Sequence, residues 1–377
     1  MAGGGSGSGH TILDETTPLA ARSKLKLTGA GVVAVDDAGN DQTVVTIPGA
    51  TSGSGAVGYV NVMDYGAVGN GIADDGPAFA AALNAAKGSV WFSAKTVIVP
   101  PGQYLIQTRP VIEDANFVRM VGIGRPLVIG YSIGADLFTF KPSSPGSFNE
   151  HIEIDGLSFR MPADYTAYDA GYNFAAIALE GIVWSRFTNC IFYGFGQGIR
   201  ATYSLSNLVD RCYFYAGHGI KAFGNATYAI GANWWIVRDC IINSKVGVEF
   251  DIGAGNSVVN CDIEGCATRG LIFGAYIDGM GPNTVRECWF EANAAGAILN
   301  KNGSFLRVVG NIVAGPAPTI EQQTASIGGC LIRENHLHGN GIKNNSGSQK
   351  VHIDQNWGYD SAKLVNNGSG LTIGTNF

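Results

Sequence analysis

From residue 150 onward, short apolar segments recur along the chain, as in FTNCIF, VDRCYF and VRDCII. When the segments are aligned, one column of equivalent positions is Cys190, Cys212, Cys240, Cys261, Cys288, Asn311, Asn335 and Asn356, with steps of 21–28 residues. A second apolar column, mostly valine, lies three residues earlier, and a third lies seven to ten residues later. This pattern predicts three short strands in each repeat.

Three strands in a repeat of this length are typical of one turn, or rung, of a parallel β-helix. Rungs stack at the strand spacing of about 4.8 Å, so that residues two dozen apart in sequence become neighbours. Inward columns require small or apolar side chains, and asparagines at a tight turn are expected to form a ladder in which each amide bonds the next rung. The sequence therefore predicts an all-β parallel β-helix of about ten rungs. A β-sandwich or a leucine-rich repeat is a weaker alternative, because three columns keep their register over eight repeats.

The β-helix also accounts for the seven cysteines. Five of them stand in the aligned column, none forms a CxxC pair, and their spacing fits neither a zinc knuckle nor a compact disulfide framework. We expect them to be buried, reduced residues that pack as small hydrophobes. No histidine pair has a third ligand nearby in the pattern, so no metal and no other cofactor is predicted.

The chain before the repeats divides into parts of different composition. Residues 1–9 are rich in Gly and Ser and are predicted to be a flexible tail. Residues 10–58 contain two short predicted strands, Val32–Val35 and Thr43–Ile47, and end in the Gly/Ser-rich linker ATSGSGAVG. Residues 59–377 are assigned to the β-helix.

One helix is predicted near the start of the β-helix. Phe79 to Ala86 is Ala-rich, and Pro77 lies early in the first turn. Asp74 or Asp75 is the expected N-cap, because a carboxylate there accepts hydrogen bonds from free backbone N–H groups.

Composition narrows the possible partners. Glycine accounts for 54 of 377 residues, charged residues for 14%, and the net charge is −6. A hydrophobic content of 46% excludes a disordered chain. Nucleic acid is not an expected partner, because the charge balance is acidic and Lys/Arg runs are absent. Membrane insertion is not expected either, since no run of 18 apolar residues occurs.

The segment VMDYGAVGNGIADDGPAFAAA, residues 62–82, resembles the opening motif of the pectate-lyase-like family of right-handed β-helices. VIVPPGQY, residues 97–104, is similar to that family's first-rung strand and turn. Residues 10–49 resemble a segment of bacteriophage tail proteins. The combined resemblance implies a tailspike or tail fibre: a homotrimer on the virion tail, assembled in the host cytoplasm and joined to other tail or baseplate proteins through residues 10–58. It also implies binding, and often cleavage, of bacterial capsule or lipopolysaccharide.

Two columns of the predicted outer surface bring carboxylates together. The ladder residue and the residue two later point inward, so the residues one and three later point outward. Glu264 and Glu291 then occupy the same position in neighbouring rungs, and Asp262 lies on the same face beside Trp289.

Such carboxylates suit glycosidic cleavage, in which one carboxyl group protonates the leaving oxygen and another acts as base or nucleophile. Aromatic rings in the same columns, Trp289, Tyr215 and Tyr193, offer flat faces for sugar rings. We therefore predict that the three carboxylates are catalytic and the three aromatic residues bind substrate. The alternative is a solvated acidic face whose aromatic residues pack between subunits.

A second cluster follows the third apolar column. Glu249 aligns beside Lys221, with Arg200 one rung further, and Asp251 lies two residues after Glu249. Glu249 and Asp251 are further catalytic candidates, and the two cations are candidates for binding an acidic sugar. A surface ion-pair ladder is the alternative.

Three functions remain open at this point. An endo-acting glycosidase is favoured, and a lyase that uses β-elimination needs a base and a neutralising cation such as those of the second cluster. The third possibility is a non-catalytic receptor-binding or structural tail protein.

Overall fold

The computed structural model describes the strands Leu13–Asp14, Thr17–Pro18, Val33–Asp37 and Gln42–Thr46, and residues 58–89, 93–131, 134–162, 173–225, 227, 230–275, 281–302, 305–315, 320–323, 329–338, 341–345, 351–358, 364–367 and 370–376. The chain forms two compact units, Met1–Ala56 and Val57–Phe377. In the first unit Leu13–Asp14 pairs with Thr17–Pro18, and Val33–Asp37 pairs with Gln42–Thr46, both antiparallel. The two strands predicted there are confirmed, with bounds shifted by one or two residues.

The second unit is a parallel β-helix of about ten turns, built from three long parallel sheets. Sheet 1 has 13 strands: Tyr59–Asn61, Thr96–Val99, Arg119–Gly122, Glu153–Asp155, Arg186–Thr188, Leu208–Asp210, Ile236–Arg238, Ser257–Val259, Asn283–Arg286, Leu306–Val309, Cys330–Arg333, Val351–Asp354 and Leu371–Ile373. Sheet 2 has 11 strands: Asn70–Asp74, Gln103–Ile106, Leu127–Gly130, Ser158–Arg160, Ile191–Tyr193, Tyr213–Tyr215, Ile241–Ile242, Asp262–Glu264, Trp289–Glu291, Ile312–Ala314 and His336–His338.

Sheet 3 also has 11 strands: Val111–Glu113, Phe138–Lys141, Ala175–Glu180, Gln197–Thr202, His218–Phe223, Val246–Ile252, Arg269–Ala275, Ile298–Asn302, Ile320–Gln322, Ile342–Asn344 and Val365–Asn366. Two further short strands, Asn149–Glu150 and Ile182–Val183, pair with each other in parallel. The chain runs through sheets 1, 2 and 3 in turn and then starts the next rung, so the predicted fold class is confirmed.

The aligned apolar columns line the inside of the β-helix. Val209, Val237 and Val258 are opposite one another in sheet 1 and are fully buried, and Ile220 and Val248 are paired and buried in the same way in sheet 3. Inside sheet 2, Phe159, Phe192 and Phe214 stack with ring centroids 5.2 and 4.8 Å apart. Burial of these columns supplies the main stabilisation of the fold.

The predicted ladder forms the turn between sheets 1 and 2. Asn311 Nδ2 donates to Asn335 Oδ1, and Asn335 Nδ2 donates to Asn356 Oδ1, both at 2.9 Å. Asn356 Nδ2 continues to Asn376 Oδ1 at 3.0 Å. The asparagine ladder is thus confirmed. All seven cysteines are free and buried, also as predicted.

A second polar ladder lies at the turn between sheets 3 and 1, and the sequence analysis did not predict it. The Ile152 N–H donates to Ser185 Oγ at 2.8 Å, and the Ser185 N–H donates to Asn207 Oδ1 at 2.9 Å. Two rungs on, the Asn256 N–H donates to Asn283 Oδ1 at 3.0 Å. The buried backbone of both turns is therefore satisfied by side chains of the next rung.

The helix spans Gly76–Ala86 and follows the 3₁₀ turn Val62–Tyr65, so it begins directly after the predicted cap position and ends at the predicted residue. Asp75 occupies the N-cap position but makes no capping hydrogen bond. Its carboxylate instead accepts the Val68 and Gly69 N–H groups at 2.6 and 3.3 Å. The expected role of Asp75 is therefore wrong, because the preceding loop folds back over the helix start and captures its carboxylate.

Asp74 joins the helix start to the first rungs. Its Oδ1 accepts the Gly76 N–H at 3.0 Å and the Gln107 N–H at 2.9 Å. Burial would raise the pKa of Asp74, but these bonds and those from Thr108 lower it below its ordinary value.

Among the residues that the structure describes, no helix is long and apolar enough to cross a membrane.

Candidate functional site

The outer face of sheet 2 carries the first predicted cluster. In the strands Asp262–Glu264 and Trp289–Glu291 the central residues are buried, so the flanking side chains point outward. The two strands pair in parallel with Glu264 opposite Glu291 and Asp262 opposite Trp289. The predicted register is therefore the one observed, and it places three carboxylates on two adjacent strands.

Asp262 has the most unusual environment of the three. Its Oδ1 is buried and has no hydrogen-bond partner within the described part of the chain. Burial raises the pKa of Asp262 above its ordinary value, and the negative charge of Glu291 raises it further. A carboxyl group that keeps its proton at higher pH is suited to act as a general acid.

Glu291 is exposed and fixed by its neighbour. The Trp289 indole Nε1 donates to Glu291 Oε2 at 3.1 Å, and 42% of the Trp289 surface is exposed. The indole thus orients the carboxylate while offering part of its ring to a ligand. Glu264, half-buried on the adjacent strand, completes the group.

Aromatic residues extend this face towards the N-terminal rungs. Tyr193 and Tyr215 stack with centroids 4.8 Å apart at an interplanar angle of 10°, and the Arg160 guanidinium lies 5.5 Å from the Tyr193 ring centroid. Burial raises the pKa of Tyr213, and the neighbouring Tyr215 and Glu264 raise it further. The two predicted sugar-contact tyrosines therefore lie on the same face as the carboxylates, with one rung between Tyr215 and Glu264.

The second predicted cluster lies on sheet 3 and is an ion-pair network. Glu249 Oε2 lies 3.3 Å from His218 Nε2 and 3.6 Å from Lys221 Nζ, and its Oε1 lies 3.2 Å from Lys301 Nζ. Burial raises the pKa of Glu249, but the His218 hydrogen bond and the two lysine charges lower it to about 2. Glu249 is therefore ionised throughout the neutral range and is a poor proton donor.

The other members of this cluster are also engaged. Arg200 pairs with Asp136, and its Nη1 donates to the Asn173 carbonyl at 2.6 Å. Lys221 also lies 4.8 Å from the Phe223 ring centroid. Asp251 is half-buried on the same strand as Glu249. On this face the side chains bind one another, which is the ion-pair arrangement that the sequence left open.

Sequence reasoning missed His218 and Lys301 as partners of Glu249. In a regular strand, residues two apart point to the same face, so the sequence places His218 inside the β-helix with Ile220. A Cβ at Gly219 would lie only 2.6 Å from the Gly247 carbonyl oxygen and close to the Phe214 side chain of the core. Gly219 and Ile220 therefore both face inward, the alternation breaks, and His218 turns outward. The glycines that precede five of the eight third-column residues, Gly219 among them, were the available signal.

A β-helix with a helix over its first rungs, polar ladders at two turns and carboxylates beside aromatic rings on an outer face has the architecture of pectate-lyase-like proteins. The family model described as rhamnogalacturonase A/epimerase, pectate lyase-like, matches residues 59–272, and the chain belongs to this family. No curated protein sequence matches the chain.

Several solved structures share the fold. PfbA, a surface adhesin of Streptococcus pneumoniae, is 14% identical over 84% of this chain and 89% of its own, with a TM-score of 0.62. The catalytic unit of a GH87 α-1,3-glucanase from Streptomyces thermodiastaticus is 15% identical over 85% and 69%, with a TM-score of 0.54. The Dettilon tailspike protein is 13% identical over 84% and 68%, with a TM-score of 0.53. At these identities the likeness is one of fold.

Proposed function

We propose that this protein recognises a bacterial surface polysaccharide and cleaves it by hydrolysis on the outer face of sheet 2. The observation that carries the proposal is Asp262, a carboxyl group with a raised pKa next to an exposed carboxylate and an exposed indole. The resemblance of the N-terminal residues to phage tail proteins and the shared fold with a tailspike protein support a role on a virion tail.

The three carboxylates receive different roles. Asp262 protonates the glycosidic oxygen, Glu291 acts as base towards water, and Glu264 stabilises the positive charge that develops on the sugar. Water activated by Glu291 attacks the sugar carbon while Asp262 protonates the leaving oxygen, so that a single displacement would break the glycosidic bond with inversion.

The aromatic residues of this face bind the sugar rings in the proposal. Trp289 lies beside the acid Asp262, and the stacked pair Tyr193 and Tyr215 holds the polysaccharide further along the sheet.

The alternative reaction is a lyase acting on an acidic sugar, which Lys221 and Arg200, with Glu249 and Asp251, would serve. Hydrolysis is favoured because Glu249, with a pKa of about 2, is a weak base.

The reaction is tested by incubating the protein with purified capsular polysaccharides and lipopolysaccharides from candidate hosts. New reducing ends without absorbance from an unsaturated uronate support hydrolysis. Reducing ends together with that absorbance indicate a lyase and contradict the proposed reaction. Binding without either product identifies a non-catalytic adhesin, and the structurally similar PfbA is itself a surface adhesin.

Variants then test the site. Asp262→Asn and Glu291→Gln are each expected to lower the cleavage rate by about 100-fold or more while polysaccharide binding is retained, because each removes one proton-transfer group. Glu287→Gln is the matched control: this exposed carboxylate pairs with Arg286 at the turn of the same rung as Glu291. Full activity in both site variants would exclude sheet 2 as the catalytic face.

We also propose that the β-helix forms a homotrimer and that residues 10–58 attach it to other tail or baseplate proteins. Light scattering of the purified chain measures the first property. Co-purification with candidate baseplate proteins, before and after deletion of residues 1–58, measures the second.

A further inference from the structure

A column of mostly bulky side chains lines the turn that leads from sheet 3 into sheet 1. We call it the turn column; its members are Phe117, His151, Trp184, Ser206 and Trp234. The backbone N–H of each member donates to the carbonyl just before the next one, as from Phe117 to Glu150 at 2.9 Å and from His151 to Val183 at 3.0 Å. The five residues therefore occupy one position on five successive rungs.

The aromatic members of the turn column adopt a backbone conformation that bulky residues avoid. Phe117, Trp184 and Trp234 have φ values of 55°, 53° and 61°, and His151 has 56°. The left-handed region costs a residue with a Cβ about 1–2 kcal/mol relative to its preferred conformations. The next residue of the column is Gly255, with φ 70°, which fits without this cost. Residues at the other turn of the rungs, such as Arg211 and Asp239, share this conformation, so the turn column is distinguished by its aromatic rings and not by its backbone alone.

The rings form a stack with an opening in it. Phe117 and His151 stack at a centroid distance of 5.1 Å, and His151 lies 5.7 Å from Trp184. Ser206 follows, and its small side chain leaves its rung without a ring. The Trp234 ring leans away from Ser206 and lies against Gly255 of the following rung, so the opening beside Trp184 is wider than the two-rung spacing of about 10 Å. Trp184 and Trp234 are 55% and 51% exposed, so each indole remains available to a ligand.

Two cavities adjoin the column. One, of about 490 Å³, is lined by Trp184 and Ser206 together with Asn116, Phe148 and Glu150. The other, of about 480 Å³, lies at Phe117 and His151 and is lined by Lys95, Arg119 and Glu153. Both volumes lie within the usual range of small-molecule sites, about 300–1,000 Å³.

We propose that the turn column is a non-catalytic glycan-binding site, in which a sugar ring enters the opening at Ser206 and packs on the Trp184 indole. Aromatic faces pack on the apolar side of a pyranose ring, and the Asn116 amide and the Glu150 carboxylate of the cavity at Ser206 are available to hydrogen-bond its hydroxyl groups. The cavity at Phe117 and His151 lies further along the column and would contact a neighbouring sugar of the same chain. The column precedes sheet 1, whereas Asp262 and Glu291 lie on sheet 2. The site is thus distinct from the carboxylate cluster, although its ligand class rests on the proposed function.

The test uses the full chain carrying Glu264→Gln and Glu291→Gln, so that the polysaccharide stays intact. Affinity is measured by native electrophoresis in gels that contain purified capsular polysaccharides or lipopolysaccharides. Trp184→Ala is expected to weaken binding about tenfold, because it removes one stacking face. Ser206→Trp fills the opening and is expected to have the same effect. Tyr131→Ala, which removes an aromatic ring that is 58% exposed elsewhere, is the control.

The proposal is overturned if the polysaccharide gels slow Trp184→Ala and Ser206→Trp as much as the chain with an intact turn column. It is also overturned if no polysaccharide slows the chain with an intact turn column. A loss of oligomeric state in Trp184→Ala at unchanged glycan affinity, measured by sedimentation, assigns the column to a subunit interface and overturns it as well. Trp184-dependent binding without cleavage by the wild-type chain supports the glycan site and contradicts the proposed hydrolysis. If the wild-type chain cleaves the polysaccharide and neither Trp184→Ala nor Ser206→Trp changes cleavage or binding, the proposed hydrolysis is supported and the glycan site in the turn column is contradicted.

Discussion

At the scale of single residues, Asp262 occupies a position that opposes stability and that suits the role of proton donor proposed for it. Its carboxyl group is partly buried, one oxygen has no partner among the described residues, and the Glu291 charge lies nearby. Each of these features disfavours the ionised form that would otherwise dominate at neutral pH. Such a group is expected where catalysis requires a retained proton.

The sign of the resulting pH dependence follows from the raised pKa. A carboxyl group whose folded pKa is above its unfolded value stabilises the fold below the unfolded pKa, and this contribution is lost as the pH rises through the folded pKa. Asp262→Asn is therefore expected to raise stability at pH 7 by about 0.5–1 kcal/mol, seen as a Tm increase of about 2 °C.

Thermal unfolding at pH 4 and pH 7 checks this prediction, with Glu287→Gln as the control that should change neither value. A smaller gain at pH 4 is expected, because the raised pKa leaves a larger share of Asp262 protonated in the wild type at pH 4 than at pH 7. A lower Tm for Asp262→Asn at pH 7 would contradict the strained environment described for this residue.

At the scale of elements, the ladders hold each turn to the next rung. Asn335 is fully buried, accepts the Asn311 N–H at 3.0 Å and donates to the Val308 carbonyl at 3.0 Å. In the cysteine half of the same column, Cys261 Sγ lies 3.7 Å from the Val237 carbonyl oxygen. Along the axis of the β-helix, the ladder column therefore changes from weak sulfur contacts in the rungs with cysteine to amide hydrogen bonds in the later rungs with asparagine.

Asn335→Ala is expected to destabilise the β-helix by about 3 kcal/mol, because it leaves buried backbone groups without partners. Cys261→Ala, which removes one buried sulfur atom from an equivalent position, is expected to cost about 1 kcal/mol. Denaturant unfolding of the two variants measures the difference. Equal losses would mean that the asparagines act only by filling space.

At the scale of the whole molecule, the β-helix is nearly one-dimensional, since each rung contacts mainly its neighbours. The helix Gly76–Ala86 packs against the first rungs through Phe79, whose ring lies 5.4 Å from Tyr104 and 5.7 Å from Phe138 between centroids. The stability of the N-terminal rungs therefore depends on this one element.

Phe79→Ala is expected to cost about 3–5 kcal/mol, as is usual for a buried aromatic ring. The loss should be local: hydrogen exchange is expected to accelerate in Thr96–Val99 and Gln103–Ile106 and to stay unchanged in Val351–Asp354. Mass spectrometry of the exchanged protein measures this, and uniform acceleration along the chain would contradict a rung-by-rung assembly.

The sequence by itself determined the repeat, the three strands of each rung and the inward columns, because burial selects valine, cysteine and asparagine at positions that recur in register. It also determined that Glu264 faces Glu291, since strand alternation and a constant ladder position leave no other arrangement.

Only the tertiary structure decided which charges pair and which rings gather. His218 reaches Glu249 because glycines break the alternation of sheet 3, and Asp75 turns away from its helix because a loop 6–7 residues earlier in sequence supplies closer N–H groups. The turn column stands three residues before the inward sheet 1 residue of each rung, as Ser206 does before Val209 and Trp234 before Val237, so its alignment could have been counted from the sequence. The sequence did not show that its rings gather beside an opening at Ser206. The members of the turn column meet because the backbone, through the hydrogen bonds of each turn, returns every rung to the same place.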